Sequence, residues 1–160
     1  MAAANCDFVI LRTAWVYAPY GKNFVRTMLV LAETRGEVRV VADQHGCPTY
    51  APDIADAIIQ IARNLLRDRL DPRMRGAFHL SGTGETTWAA LADAIFEHLA
   101  GKGGRRPILA SITSAEYPTA ARRPSNSRLN CAKLTNIHGI ELPHWQDSVA
   151  TCLERLSSRG

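Results

Sequence analysis

Apolar and polar positions along this chain alternate between two rhythms, one of strands and one of helices. Residues 8 to 16, FVILRTAWV, form an almost unbroken apolar run rich in β-branched and aromatic side chains. Such a run predicts a strand buried on both faces of a parallel sheet. After the turn Ala18-Pro19-Tyr20-Gly21, Phe24, Met28 and Leu31 fall at helical spacing within Asn23 to Ala32, and Gly36 can end that helix. VRVVA at 38 to 42 predicts a short strand, and the Gly-, Pro-, Asp- and Thr-dense stretch from Asp43 to Pro52 a loop. Pro52 and Asp53 suit the first turn of a helix whose buried stripe is Ile54, Ala57, Ile58, Ile61 and Leu65.

A second βα unit follows. Ala77 to Leu80 reads as a strand, and Thr86 or Thr87 caps a helix that carries Trp88, Leu91, Ala92, Ile95 and Leu99 before Gly101 closes it. Beyond the linker GKGGRR come a strand at Ile108 to Ile112, an irregular stretch to Asn130, and a last helix burying Trp145, Val149, Leu153 and Leu156. Alternating strands and helices predict an α/β architecture with parallel strands. A chain that opens on a buried strand needs sheet neighbours it does not itself contain, so the sheet is expected to be partial.

Composition narrows the function classes. With 160 residues, 46% apolar and 21% charged, the chain can bury one ordinary core. Its apolar stretches are interrupted within about ten residues, short of the roughly 20 that a spanning helix needs, so no membrane partner is expected. Asn5 and Asp7 break any signal-like apolar opening, which points to a cytoplasmic home. The net charge of +4 is spread along the chain without interleaved aromatics, which argues against nucleic acid and fits a small anionic ligand. Cys6, Cys47, Cys131 and Cys152 lack metal-ligand spacing and read as free thiols.

The motifs for cofactor chemistry are thin. There is no GxxxxGK[ST] loop, and Gly82-Thr83-Gly84 has Thr87 where the third glycine of a dinucleotide turn would stand. A tight βα turn is the alternative. No tyrosine has a lysine four positions on: Gly21 follows Tyr17 at that spacing, Phe24 follows Tyr20, Ile54 follows Tyr50 and Ala121 follows Tyr117. Proton transfer to a carbonyl can use a phenol acidified by an ammonium one helical turn away, and this chain cannot supply that pair.

Five segments then speak together: LRTAWVYAPYGKNFVRTML, RVVADQHGCPTYAPDIADAI, FHLSGTGETTWAALADAIF, SAEYPTAARRPSNSRLNCAKL and ELPHW. In this order and at these intervals they resemble the dTDP-4-dehydrorhamnose reductases, extended short-chain dehydrogenases, over nearly the whole chain. The resemblance implies a partial Rossmann-like sheet, with late strands at about 8–16 and 77–80, joined to the small substrate-binding region at residues 1–160. The NAD(P)-binding region and its Tyr-x-x-x-Lys would lie upstream, outside this chain.

The resemblance also implies site residues. Trp15 matches a tryptophan beside the deoxysugar, where an aromatic face suits CH groups and a methyl; a core tryptophan at a strand end is the alternative. Arg12 and Thr13 share its motif at the C-terminal edge of a strand, where open α/β sheets bind ligands. Asn23 opens a helix and could receive a diphosphate or a sugar hydroxyl, or serve as a plain N-cap. Gln44, in DQHGCPT, could meet nucleotide polar groups. Arg122, Arg123, Asn126 and Ser127 belong to RRPSNS, whose arginine fork suits a diphosphate; a solvated loop is the alternative. His45, His79, His98, His138 and His144 are given no catalytic role.

A full-length protein of this kind would move a hydride from NADPH or NADH to the C4 carbonyl of dTDP-4-dehydro-6-deoxy-L-mannose, giving dTDP-L-rhamnose. Some members depend on a metal, so Mg2+ stays open. This chain alone would recognise the dTDP-sugar without turnover and without holding the cofactor. It could also pair with itself as a homodimer through the edge of its first strand. Two alternatives remain: a non-catalytic subunit like the regulatory subunit of methionine adenosyltransferase, and a reductase or epimerase of another nucleotide sugar.

Overall fold

The computed structural model describes residues 8–119 and 123–158. The opening apolar run is not one strand. It divides into β1 (Val9–Arg12) and β2 (Val16–Tyr17), because Trp15 between them adopts a left-handed φ of 51° that no continuous strand tolerates. Nor is the run buried on both faces. Val9 and Leu11 pack inward while Ile10 and Arg12 are exposed, and β1 pairs on one edge with β6 (Gly76–His79), in parallel from Val9↔Gly76 to Arg12↔His79. Among the described residues its other edge has no strand partner.

Helix α1 (Phe24–Thr34) follows, then β3 (Glu37–Val41), whose parallel neighbour is the distant β8 (Ile108–Ile112). The loop after β3 contains two short strands, β4 (His45–Gly46) and β5 (Thr49–Tyr50). β5 lies parallel to β2, and β4 runs antiparallel to β7 (Thr86–Thr87). Helix α2 (Ala51–Arg67) starts with Pro52 in its first turn, where a missing N–H costs nothing, and Asp53 beside the positive end of the helix dipole. Helix α3 (Trp88–Gly101) is capped by the Thr87 hydroxyl, which accepts from the Ala90 amide at 3.2 Å.

One feature had no clear signal in the sequence: helix α4 (Ala132–His138), seven residues ended by Gly139 in the left-handed region at φ 67°. Its Leu134 joins Ala57 and Ile61 of α2 and Phe78 and Leu80 around β6 in one core cluster. The second, larger cluster gathers Val25 and Met28 of α1, Leu91, Ile95 and Phe96 of α3, and Trp145, Val149 and Leu153 of helix α5 (Trp145–Ser157). Ile95 and Phe96 are fully enclosed, and burying each stabilises the fold by about 2 kcal/mol. No helix among the described residues is long and apolar enough to cross a membrane.

Candidate functional site

Two motifs far apart in sequence are joined by backbone. The His45 amide donates to the Ser125 carbonyl at 2.8 Å, the Ser127 amide donates to the His45 carbonyl at 2.8 Å, and His45 and Asn126 form a parallel bridge. DQHGCPT and RRPSNS therefore make one wall. Ser114 closes a second wall: its amide donates to the Asp43 carboxylate at 2.9 Å, its hydroxyl donates to Asp43 at 2.7 Å, and it accepts from Gln44 Nε2 at 2.9 Å. Between these walls opens a cavity of about 890 Å³ lined by Gln44, Ser114, Tyr117, Arg123, Ser125 and Asn126, among others.

The chemistry of this cavity is that of an anion receiver with a polar rim. Arg123 is exposed and has no hydrogen-bond or ion-pair partner among the described residues, so its five guanidinium donors face an open volume. Asn126 accepts at Oδ1 from the Arg128 amide and Nε, both at 3.0 Å, which fixes the side chain and leaves its NH2 as a donor. Arg128 also pairs with Glu85, and that contact holds the Glu85 carboxyl below its usual range. Asp43 is likewise held low, chiefly by the Ser114 hydroxyl and amide. Asp43 is exposed and lines the same cavity, so it stays ionised on the rim while its oxygens are engaged by the neutral donors of Ser114.

Arg12, Trp15 and Asn23 do not line this cavity. Arg12 is exposed at the end of β1, in register with His79, and Thr13 is exposed beside it. Asn23 caps α1: Oδ1 accepts from the Arg26 amide at 3.2 Å, while Nδ2 donates to the carbonyls of Ala18 at 2.8 Å and Tyr20 at 3.2 Å. Both ends of the amide are engaged in shaping the turn before the helix. Trp15 is half-buried and stacks on Trp88, ring centroids 3.6 Å apart and planes 10° apart. Its left-handed backbone stores about 1–3 kcal/mol of strain that these contacts must offset. Arg122 lies outside the described residues.

The Gly82-Thr83-Gly84 turn is occupied by protein. A Cβ at Gly82 would collide with the Pro48 carbonyl oxygen, and one at Gly84, where φ is 77°, with the His144 ring. Thr83 exchanges backbone hydrogen bonds with the ELPHW segment: its amide donates to Pro143 at 3.1 Å, and its carbonyl accepts from Trp145 at 3.0 Å. These glycines permit close packing of the turn against Pro48 and His144, and Thr87 stands where the third glycine of a dinucleotide turn would be. Cys47, Cys131 and Cys152 are free thiols, and Cys6 lies outside the described residues.

Sequence reasoning did not single out Ser114, Tyr117, Arg128 or Glu85. All four stand within the motif segments, but nothing in the spacing reveals that Ser114 reaches back to Asp43. Trp88 reads from its spacing as a helix-face residue, and only the fold shows it against Trp15.

Comparison with known proteins places this geometry. The model of the RmlD substrate binding domain family matches residues 1–158. A dTDP-4-dehydrorhamnose reductase of Sinorhizobium fredii is 52% identical over 160 residues, covering 100% of this chain and 54% of that protein. Among solved structures, a dTDP-4-dehydrorhamnose reductase from Clostridium acetobutylicum superposes with a TM-score of 0.81 at 32% identity, over 93% of this chain and 49% of that one. The Bacillus anthracis dTDP-4-dehydrorhamnose reductase, solved in complex with NADP, gives 0.76 at 32% identity, over 95% and 48%. The chain thus spans about half the length of the relatives it matches.

Proposed function

The chain belongs to the RmlD substrate binding domain family, and from that premise we propose that it is the sugar-nucleotide-gripping part of a dTDP-4-dehydrorhamnose reductase. The whole protein would reduce the C4 carbonyl of dTDP-4-dehydro-6-deoxy-L-mannose to give dTDP-L-rhamnose. Hydride would come from NADPH or NADH held by residues outside this chain, whose sequence has no complete GxGxxG turn. When bound, that cofactor supplies the hydride; the residues here bind and orient the substrate.

The observation that carries this reading is the convergence of Gln44, Arg123 and Asn126 on one cavity of about 890 Å³. Arg123 would neutralise the diphosphate through charge-assisted hydrogen bonds. The Asn126 NH2, held in place by Arg128, and Gln44, held by Ser114, would meet neutral acceptors of the nucleotide. Trp15 would present the uncovered part of its indole to the deoxysugar. No tyrosine–lysine pair at helical spacing stands in the sequence, so turnover by this chain alone is not expected.

Calorimetric titration of the 160-residue chain with dTDP-L-rhamnose, dTDP and NADPH in parallel tests the assignment. Heat from both dTDP ligands with silence from NADPH is the expected result; NADPH binding in the absence of dTDP binding would overturn it. The open edge of β1 is also a template for pairing with a second copy, so dimers are expected in light scattering and a monodisperse monomer would contradict that part.

A further inference from the structure

Trp15 is held from two sides by one small piece of structure. The two-residue ladder between β4 and β7 pairs His45 with Thr87 and Gly46 with Thr86. Gly46 lies so close to the Trp15 indole that a Cβ there would come within 2.8 Å of three of its ring carbons. Trp88 comes directly after Thr87 as the first residue of α3, and its ring covers one face of the Trp15 indole at 3.6 Å. Phe24 at the start of α1 leans on Trp88 from a third element, centroids 4.6 Å apart and planes at 45°. The ladder and the cap thus deliver both contacts to an indole whose own backbone is in a left-handed conformation.

Core packing alone does not call for this arrangement. Trp15 and Trp88 are both half-buried, with Trp88 at the margin of the larger core cluster, whose enclosed part runs through Leu91, Ala92, Ile95 and Phe96 on the later turns of the same helix. A tryptophan on a two-bond tether can swing, and a near-parallel stack against a second indole removes that freedom. Resting on the reading of Trp15 as the sugar's platform, we propose that Trp88 is a positioning residue that fixes the plane of Trp15 against the deoxysugar. It touches the substrate only through Trp15. Its removal therefore weakens recognition of the sugar and leaves recognition of the nucleotide alone.

The test uses Trp88→Phe and Trp88→Ala in the 160-residue chain, beside Trp15→Ala and the Trp15/Trp88 double alanine variant. Circular dichroism in the indole region reports the stack: the exciton couplet of the wild type should vanish in every variant. In calorimetry, Trp88→Ala should weaken dTDP-L-rhamnose binding by about 3- to 10-fold, the range of an aromatic pair, with dTDP affinity unchanged. Trp88→Phe should recover most of that loss, and the double variant should bind no worse than Trp15→Ala, since Trp88 acts through Trp15. Equal weakening of dTDP and dTDP-L-rhamnose, or unchanged dTDP-L-rhamnose affinity in Trp88→Ala, overturns the positioning role while sparing the site. Should the wild type bind neither ligand, the substrate reading itself fails and the role of Trp88 fails with it; Trp88→Phe keeps the test open if the alanine variant does not fold.

Discussion

Replacing Gly82 by alanine would place a methyl group against the Pro48 carbonyl oxygen, far inside the 3.4 Å at which ordinary contact begins. The obstacle is backbone, so no rotamer change relieves it. Either the Ser81–Gly84 turn or the Cys47–Thr49 loop must move, and the movement pulls the Gly82 amide from the Thr49 hydroxyl it reaches at 3.3 Å. Thr49 is fully buried, so that hydroxyl gains no water in exchange. Overpacking of this kind costs about 1–3 kcal/mol and the lost hydrogen bond about 1 more, giving about 2–4 kcal/mol. For a domain of this size that is a fall in Tm of about 4–16 °C. Thermal unfolding followed by far-UV circular dichroism measures it, with urea titration to check that the m-value is unchanged. Gly101→Ala, at a position with nothing within 4 Å, is the control and should shift stability by less than about 1 kcal/mol. A Gly82→Ala chain that melts within a degree or two of wild type would refute the packing account of this turn.

Arg123→Ala should cost roughly ten- to hundredfold in dTDP affinity, the worth of a hydrogen bond to a charged group, with Tm unchanged because the side chain is exposed; equal affinity in calorimetry would contradict its role. The hydroxyl of Tyr17 is buried with no partner among the described residues, so Tyr17→Phe should leave Tm unchanged or raise it by a few degrees, and a clear fall would reveal a partner. Asp71 is pulled down to about 2, first by the Arg73 side chain, and Asp43 is held low by Ser114. Depressed carboxyls contribute stability that is present above their ordinary value of 3.8 and lost as pH falls through the folded value; carboxyl titration by NMR should see Asp71 return toward 3.8 in Arg73→Ala, and an unmoved titration would count against it.

The sequence is most informative where local chemistry decides the outcome. The strand at 108–112, the Thr87 cap and the Pro52 start of α2 all rest on short-range signals, and the structure holds each. It is least informative where hydrophobicity and conformation part company. FVILRTAWV reads as one strand because its residues suit one, yet Trp15 takes a left-handed turn, with Trp88 and Gly46 from elsewhere in the chain packed on its indole. Helix α4 is not legible in the sequence because seven residues with a cysteine N-cap and no side-chain capping bond give too little period to detect. Gln44, Arg123 and Asn126 are visible as motif residues, but their meeting depends on the His45–Asn126 bridge and on Ser114, long-range pairings that spacing does not encode.

Amide chemical-shift mapping of the 160-residue chain titrated with dTDP tests the central claim most directly. Gripping of the nucleotide between the wall of DQHGCPT and RRPSNS and the wall closed by Ser114 predicts that the largest shifts fall on Asp43, Gln44 and His45, on Ser114 and Tyr117, and on Arg123, Ser125 and Asn126. Largest shifts around Gly82 and Gly84 instead, or none at millimolar dTDP, would contradict it.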